Sequence, residues 1–295
     1  MAERTGRPGE AGAPGTLYVV ATPIGNLGDL SPRAAEVLRS VRAVVAEDTR
    51  RTMKLFAHLG ARPPALLSLP AFAERGRIGP IVARLRAGED LALVSDAGTP
   101  LVSDPGAALV AAAWAAGARV VPVPGPSAAL AALVASGLAA DRFLVAGFLP
   151  RKGPARTQAL RWMAAVPATL VIYEAGNRTA ATLRDLAEAF GDRPAALARE
   201  MTKLHEEIAR GRLLELAARF SGEIRGEVTL VVAGAEVGAP LEPPPVEDLD
   251  DELRTRLAAG EAPSEIARTV ARARGLPRRE VYARLQELKA GPRGA

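Results

Sequence analysis

The segment "LVSDAGTPLVSDPGAAL" at residues 93–109 concentrates residue types that shape a loop around a bound molecule. Two Ser-Asp pairs begin at Ser95 and Ser103, and each is followed closely by glycine and proline. A single turn needs only one such residue to set its backbone angles, so two clusters back to back favour a loop built for a ligand.

Three further segments carry the same small and polar residues after apolar runs: "TPIGNLGD" at 22–29, "AEDTR" at 46–50 and "PGPSA" at 124–128. Small side chains let backbone amides and carbonyls approach a polar ligand closely. The first segment lacks the Gly-x-Gly-x-x-Gly dinucleotide fingerprint, and no Gly-Lys-Ser/Thr phosphate loop occurs in the chain. An ordinary Rossmann or P-loop enzyme is therefore disfavoured.

Composition limits the chemistry further. The chain has no cysteine and two histidines, which excludes disulfides and thiolate catalysis and argues against a histidine or cysteine metal site, so we expect no metal. The formal charge is +5 and the isoelectric point is about 10.0, which favours an anionic partner or reflects genomic base composition. Catalysis must then use carboxylates, hydroxyls, amides, amines or a borrowed cofactor.

Carboxylates at the ends of predicted strands are the candidate proton acceptors, and the sequence alone does not choose among Asp29, Glu47, Asp48, Glu174 and Glu200. The run Glu-Asp-Thr-Arg favours Asp48 and Arg50 on the substrate side, with a salt-bridged helix start as the alternative. For Asp104, the sequence Asp-Pro-Gly before an alanine-rich stretch favours a helix cap over a ligand contact.

These loops require an α/β scaffold. Apolar strands are predicted at 17–21, 43–46, 91–94, 119–123 and 143–147, separated by helical stretches such as 32–40 and 105–116, which indicates a mostly parallel sheet. Such sheets bind ligands at the carboxyl ends of their strands. Strands at 168–175, 194–200 and 227–234 predict a second α/β domain.

No apolar run reaches the roughly 18 to 20 residues of a membrane helix, and residues 1–15 lack a signal-peptide core. We expect a disordered tail at 1–15, an N-terminal α/β domain at 16–150, a second α/β domain at 151–238, a linker at 239–248 and a basic helical tail at 249–295.

Eight motifs match one enzyme family in order and spacing: "ATPIGNLGDLS", "AEDTRRT", "LALVSDAGTPLVSDPG", "VVPVPGPSA", "FLVAGFLPRKG", "VIYEA", "ALAREMTKLHEEI" and "GEVTLVV". From about Leu17 to Val237 the chain resembles the bacterial small-subunit ribosomal RNA methyltransferases I, of the tetrapyrrole-methylase superfamily. The resemblance implies a two-domain class III methyltransferase fold with a small helical C-terminal extension. It also implies a cytoplasmic homodimer that uses S-adenosylmethionine to methylate the 2′-hydroxyl of a decoding-region cytidine in 16S ribosomal RNA.

Site residues follow from this resemblance and from the strand ends. We expect cofactor contacts at Pro23, Gly25, Asp96, Gly98, Ser127, Ala128, Leu149, Tyr173 and Ala198. We expect catalytic carboxylates among Asp48, Glu174 and Glu200, and contacts with the small-subunit RNA at Arg50, Arg151, Lys152, Arg278 and Arg279. Ser127 could also cap a helix after Pro126.

The chain departs from the family pattern in two places. The segment "LPAFAE" retains only Glu74 of a histidine-rich motif, and Asn177 stands where histidine is common. Asparagine keeps hydrogen-bonding capacity but cannot transfer a proton, so catalysis should not depend on an imidazole there. A tetrapyrrole methylase, a diphthine synthase and a non-catalytic ribosome-binding protein remain as alternatives.

The C-terminal segment "SEIARTVARARGLPRREVYARLQELK" places apolar residues at helical spacing around a Gly-Leu-Pro turn. This pattern predicts a helix-turn-helix unit with a basic surface that grips RNA. The alternative is a solvated module that only covers a domain.

Overall fold

The computed structural model describes residues 12–70, 74–222, 224, 226–236, 246–274 and 276–290. It divides into two compact units, Met1–Val237 and Gly238–Ala295. No helix within the described ranges is long and apolar enough to cross a membrane.

The first unit begins with a five-stranded parallel sheet in the order β3-β2-β4-β1-β5. Its central strands are apolar runs with both faces covered by helices, as expected for a parallel sheet. The strands are β1 (Thr16–Val20), β2 (Ala43–Ala46), β3 (Ala65–Ser68), β4 (Leu91–Val94) and β5 (Arg119–Val123), and the helices are α1 (Pro32–Ser40), α2 (Thr49–His58), α3 (Glu74–Arg86), α4 (Ala107–Ala115) and α5 (Ala128–Ser136).

Helices α1 and α2 pack on one face of this sheet through side chains such as Leu38 and Phe56, which are fully buried. Helices α3 and α4 cover the other face through Leu85 and Leu109. Each buried aliphatic side chain contributes roughly 1.5 to 3 kcal/mol relative to an exposed one. All five strands point the same way, so the loops that follow β1, β2, β4 and β5 meet at one edge of the sheet.

A second sheet follows in the same unit, in the order β6-β7-β10-β8-β9. Only β6 and β7 are parallel; β10 runs antiparallel to both β7 and β8, and β8 runs antiparallel to β9. The strands are β6 (Phe143–Phe148), β7 (Thr169–Ala175), β8 (Pro194–Arg199), β9 (Glu207–Arg212) and β10 (Glu227–Val232), and the helices are α6 (Pro154–Ala164), α7 (Thr179–Phe190) and α8 (Leu213–Arg219).

Helix α5 connects the two sheets along the chain and packs on the second one. Its residues Ala129, Ala132 and Leu133 lie against Val171 and Val231 of that sheet. Helices α6, α7 and α8 cover the opposite face. The amino terminus of α5 therefore follows β5 of the first sheet, while its body is anchored on the second.

The expected tail and linker fall largely outside the described residues. Residues 1–11 and 237–245 lie there, as do Ala71, Phe72 and Ala73 of the "LPAFAE" departure. At the end of the predicted tail, the Gly15 amide donates a hydrogen bond to the Leu85 carbonyl at 2.7 Å.

The second unit contains three helices, α9 (Val246–Ala258), α10 (Pro263–Arg274) and α11 (Arg278–Ala290). Helix α9 thus begins within the segment expected as a linker. Leu253, Ile266, Val270, Val281 and Leu285 belong to the buried core of this unit, and the last four are apolar positions of the predicted helix-turn-helix.

Candidate functional site

A cavity of about 540 Å³ lies where the carboxyl edge of the first sheet faces one edge of the second. Both sheets contribute to it, which is the position expected for a ligand site of a two-domain α/β enzyme. The cavity is lined by Ile24, Glu47, Arg51, Asp96, Ala97, Gly98, Thr99, Val102, Ser103, Asp104, Ser127, Ala128, Phe148, Tyr173, Arg199, Glu200, Met201, Lys203, Gly226, Glu227, Val228 and Thr229.

The loop after β4 forms one wall and is tied to the loop after β1. Thr22 and Gly98 exchange two backbone hydrogen bonds, from the Thr22 amide at 2.8 Å and from the Gly98 amide at 3.0 Å. Gly98 has φ +81°, a left-handed conformation that disfavours other residues, and a Cβ there would lie 3.3 Å from Ile24 Cγ2. The glycine therefore keeps this wall close to the first loop.

Asp96 joins the loops that follow β2 and β4. One carboxylate oxygen accepts a hydrogen bond from the Asp48 amide at 3.0 Å, and the other lies 3.2 Å from Nε of Arg51. Both oxygens are thus engaged at the rim of the sheet. This arrangement fixes the position of Arg51 and Glu47 at the cavity.

The start of helix α5 forms a third wall. Ser127 occupies the N-cap position and its Oγ accepts a hydrogen bond from the Leu130 amide at 3.5 Å. The Thr99 hydroxyl donates to the Pro126 carbonyl at 3.1 Å, which joins this turn to the loop after β4. Ser127 lines the cavity as well, so the predicted double role as cap and cavity residue fits the geometry.

The second sheet contributes an aromatic pair. The rings of Phe148 and Tyr173 lie 5.6 Å apart and are tilted by 49°. Burial raises the pKa of the Tyr173 phenol, so this side chain remains neutral near pH 7. Flat apolar surface of this kind suits a planar heterocycle.

The charges of the lining are unbalanced. Among the described residues of the lining, five are carboxylates (Glu47, Asp96, Asp104, Glu200 and Glu227) and three are cations (Arg51, Arg199 and Lys203). Burial, with the negative charge of Glu47 and others, raises the pKa of Asp104 to about 6. Burial and Asp96 likewise raise the pKa of Glu47. An excess of partly buried negative charge favours a ligand that carries positive charge.

The structure brings five of the expected cofactor residues into this lining: Asp96, Gly98, Ser127, Ala128 and Tyr173. It places the other four outside it. Pro23 lines a smaller adjacent cavity that shares Arg51 and Asp96. Gly25 packs on Lys203, whose Cγ would lie 2.7 Å from a Cβ at Gly25. Leu149 is buried among the side chains beneath α6 and α7, and Ala198 is buried within β8.

Only Glu200 of the three expected catalytic carboxylates lines the cavity, where it pairs with Lys203 at 2.9 Å. Asp48 is the N-cap of α2, and the Arg50 guanidinium that binds it lowers the pKa of this carboxyl to about 2. This geometry is that of a salt-bridged helix start, the alternative that the sequence left open.

Glu174 is fully buried at the end of β7, away from the cavity lining. It accepts hydrogen bonds from the Thr182 hydroxyl at 2.6 Å, the Ala175 amide at 2.8 Å and Arg178 at 3.0 Å. Arg156 links the same network to Asp185. This geometry supports a structural role, since each donor is internal to the second sheet and its helices.

The expected cap at Asp104 is wrong. Helix α4 has Gly106 at its N-cap position, two residues beyond Asp104, and a glycine has no side chain with which to cap it. Asp104 instead lines the cavity, where the nearby Ser95 hydroxyl lowers its pKa. The Gly106 backbone has φ +127°, which bends the chain sharply between the aspartate and the helix.

The expected RNA-binding residues belong to three different segments of the chain. Arg50 is 88% exposed but holds Asp48 at 2.6 Å. Arg151 and Lys152 are exposed in the loop between β6 and α6. Arg278 and Arg279 are exposed at the start of α11 in the second unit.

The sequence missed most of the cavity residues that the second sheet provides. Gly226, Glu227 and Thr229 line the cavity because antiparallel β10 starts at the edge where β7 and β8 end. A prediction that considers only the carboxyl ends of parallel strands does not include residues at the start of an antiparallel strand. Arg199 and Lys203 flank the predicted Glu200, and their charge was the signal that could have found them.

The comparisons with known proteins agree with this architecture. The family model of tetrapyrrole (corrin/porphyrin) methylases matches residues 16–217. The chain is 46% identical over 280 residues to the ribosomal RNA small subunit methyltransferase I of Synechocystis, covering 94% of this chain and 99% of that protein. It is 54% identical over 226 residues to the protein of the same name from Xylella fastidiosa, covering 75% and 82%.

A solved structure shows the same fold. Uroporphyrin-III C-methyltransferase from Thermus thermophilus, in complex with S-adenosylhomocysteine, aligns with a TM-score of 0.54 at 22% identity, over 74% of this chain and 97% of that one. The predicted two-domain class III methyltransferase fold is thereby confirmed. The chain belongs to the ribosomal RNA small subunit methyltransferase I family, within the tetrapyrrole methylases.

Proposed function

We propose that this protein transfers a methyl group from S-adenosylmethionine to the 2′-hydroxyl of a decoding-region cytidine in small-subunit ribosomal RNA. The observation that carries the proposal is the acidic cavity between the two sheets of a chain that shares 46% identity with a ribosomal RNA small subunit methyltransferase I over nearly its full length. The methyltransferase activity rests on family membership, and the RNA substrate on the names of the relatives.

The cavity residues fit S-adenosylmethionine. Its volume of about 540 Å³ lies within the range of roughly 300 to 1,000 Å³ for small-molecule sites. The excess of carboxylates complements the sulfonium and ammonium charges, and Phe148 with Tyr173 offers flat surface for an adenine. The backbone of residues 97–99 and the N terminus of α5 offer polar groups for the carboxylate and ribose.

When bound, S-adenosylmethionine supplies an electrophilic methyl group on a good leaving group. The protein contributes chiefly orientation, since holding two reactants in line can contribute about 7 to 11 kcal/mol in favourable cases. Gly98 and Ser127 hold the two loops that would grip the cofactor. No metal-binding group of histidine, aspartate or glutamate side chains is found among the described residues.

The test is incubation of the protein with labelled S-adenosylmethionine and unmethylated small ribosomal subunits, followed by mass mapping of the RNA. We expect one methyl group on the ribose of a single decoding-region cytidine. Uroporphyrinogen and elongation factor serve as competing acceptors. Label in either of these acceptors and none in the RNA would overturn the proposal. Failure of the protein to bind S-adenosylmethionine in calorimetry would also overturn it, and would favour a non-catalytic ribosome-binding protein.

The RNA is expected to approach the cavity with help from exposed cations. Arg151 and Lys152 lie just after Phe148, a cavity residue, so their charges are close in sequence to the reaction site. Neutralisation of phosphates by such side chains supplies a large share of the affinity of proteins for nucleic acids. Since the proposed substrate is ribosomal RNA, we propose that the protein works in the cytoplasm.

We also propose a homodimer, as the family resemblance implies. Leu130 and Val134 are 49% and 76% exposed, one turn apart on α5. A pair of exposed aliphatic side chains on one helix face is a candidate contact with a second copy. Sedimentation equilibrium of the full chain at micromolar concentration measures the mass, and a monomer there would contradict this part.

A further inference from the structure

Asp104 differs from the other carboxylates of the cavity in its surroundings. It is partly buried in the lining and lies near the Ser95 hydroxyl and near Glu47, Asp96 and Glu227. These carboxylates come from the ends of β2 and β4 and from the start of β10, so both sheets place negative charge around it. Among the residues that the structure describes, no cation opposes these charges in setting the pKa of Asp104.

The backbone holds Asp104 in place. Leu101 and Ser103 adopt left-handed conformations, with φ of 73° and 68°, although neither is glycine. Gly106 follows with φ +127°, and a Cβ there would lie 2.8 Å from Cδ2 of Leu93. Unfavourable φ values persist where the surrounding structure enforces them, which is common at functional sites.

The other carboxylates are less available to take a proton. Both oxygens of Asp96 are engaged by the Asp48 amide and Arg51. Glu200 pairs with Lys203. Glu227 is exposed to solvent at the start of β10. A carboxylate that is paired with a cation or well hydrated is a weaker base than one that is partly buried and unopposed.

Glu47 is the strongest competitor. It also lines the cavity, and burial raises its pKa. Arg51, however, stabilises its charged form, whereas the influences on Asp104 include only the Ser95 hydrogen bond on that side. The charged form of Glu47 thus has a cation beside it, whereas that of Asp104 has none among the described residues.

We propose that Asp104 is the general base that accepts the proton of the substrate hydroxyl. This inference rests on the proposed function. In the step, the O–H bond of the 2′-hydroxyl breaks and its proton passes to the Asp104 carboxylate. The oxygen forms a bond to the methyl carbon as the S–CH₃ bond breaks, and the electron pair of that bond stays on sulfur.

The proposal predicts a pH dependence with a defined sign. Asp104 must be deprotonated to act, so the rate rises with pH until the carboxyl has titrated, at or below pH 6. Burial and the charges of Glu47, Asp96 and Glu227 raise the pKa of Asp104, and Ser95 lowers it. A bound cation would lower this pKa further. Tyr173 stays neutral in this range because burial raises its pKa.

The experiment compares wild type, Asp104→Asn, Asp104→Glu and Glu47→Gln in single-turnover methylation of small ribosomal subunits between pH 5 and 8.5. We expect Asp104→Asn to lower the rate by about 10²- to 10⁴-fold and to abolish the inflection. Asp104→Glu should recover part of the rate, because it restores a carboxylate. Glu47→Gln should keep the inflection.

Two readouts do not depend on turnover. Calorimetry should show that Asp104→Asn still binds S-adenosylmethionine, and carbon-13 NMR should show a carboxyl titrating near pH 6 in wild type that is missing from Asp104→Asn. An active wild type with an equally active Asp104→Asn would overturn the inference, as would loss of the inflection in Glu47→Gln alone. Should Asp104→Asn not fold, a wild type with no such NMR titration would also overturn it. An inactive wild type would instead overturn the proposed function, and this inference with it.

Discussion

Single residues decide how closely the cavity wall approaches the ligand. At Gly98, the left-handed φ of +81° and the 3.3 Å approach to Ile24 leave little room for a side chain. The two hydrogen bonds with Thr22 depend on this backbone geometry. The residue thus links loop conformation to ligand binding.

We expect Gly98→Val to weaken S-adenosylmethionine binding by at least about tenfold, equivalent to 1.4 kcal/mol. A branched side chain must either shift the backbone or enter the cavity. Gly191→Val is the matched control, because Gly191 has φ +78° with nothing within 4 Å of a Cβ. Both variants should lose about 1 to 3 kcal/mol of stability, because each places a side chain at a residue with positive φ. Calorimetry on folded protein measures the affinities for S-adenosylmethionine. Equal losses of affinity in the two variants would contradict the assignment of Gly98 to the cofactor site.

Asp104 should also affect stability. Its pKa is raised in the folded state, so the native protein binds more protons than the unfolded chain between pH 4 and 6, and stability falls as pH rises through that window. Replacing the charge removes this penalty. Above pH 6, we expect Asp104→Asn to unfold at a higher urea concentration than wild type. Its free energy of unfolding should be higher by about 1 to 2 kcal/mol after allowing for solvent screening, since one pKa unit corresponds to about 1.4 kcal/mol.

The gain should vanish below about pH 4, where the aspartate is protonated in both states. Urea unfolding at pH 4 and pH 7.5 measures the difference. An equal or lower stability of Asp104→Asn at pH 7.5 would show that the carboxylate is well solvated.

At the scale of elements, two features bring the halves of the cavity together. Helix α5 starts at the cavity and packs on the second sheet, while β10 reverses direction so that its first residues reach the same edge as the ends of β7 and β8. The cavity therefore depends on where helices and strands begin as much as on where they end.

The N-cap of α5 gives a test with a matched control elsewhere in the first unit. Ser127 caps α5 at the cavity, and Ser31 caps α1, accepting from the Ala34 amide at 3.1 Å. We expect Ser127→Ala and Ser31→Ala each to lose about 0.5 to 2 kcal/mol of stability. Only Ser127→Ala should lower affinity for S-adenosylmethionine, by roughly two- to tenfold for one lost hydrogen bond. Thermal unfolding and calorimetry measure the two quantities, and unchanged affinity in Ser127→Ala would remove this hydroxyl from the site.

At the scale of the whole molecule, the C-terminal unit is less basic than its arginines indicate. Between residues 249 and 290 it carries nine basic and seven acidic side chains. Arg284 pairs with Asp250 at 2.6 Å and Arg274 with Glu252 at 2.7 Å, so helix α9 neutralises cations of α10 and α11. Arg278 and Arg279 form no ion pair with any residue that the structure describes. Both side chains are exposed and are therefore accessible to phosphate.

We expect the double variant Arg278→Ala/Arg279→Ala to bind small ribosomal subunits more weakly and to reduce the slope of log affinity against log salt by about 0.7 to 0.9 per lost contact. Arg268→Ala is the control, because Arg268 is exposed but pairs with Glu265 at 3.1 Å. S-adenosylmethionine affinity should not change in either variant. Filter binding from 50 to 300 mM salt measures the slope, and an unchanged slope in the double variant would indicate that the unit has only a structural role.

The sequence by itself determined four of the five strands of the first sheet and the loops that carry polar residues. The bounds of β2, β4 and β5 coincide with the predicted runs. Strands β2 and β4 are buried along their whole length, and buried parallel strands need continuous hydrophobic residues. Strands β3 and β9 were not predicted. The first, "ALLS", has no buried residue and lies on an edge of its sheet, and the second, "EIARGR", is largely polar and also lies on an edge. Short or polar runs carry too little pattern to be recognised.

Only the tertiary structure decided which carboxylates face the cavity. Asp48 and Glu174 lie at strand ends in the sequence and Asp104 precedes a helix, yet one caps α2, one is buried in a hydrogen-bond network and one lines the cavity. Orientation depends on backbone angles, such as φ +127° at Gly106, and on partners distant in the chain, such as Arg51 for Asp96. Local sequence records which groups can do chemistry, whereas long-range packing and charge determine which of them are exposed to a ligand and where they titrate.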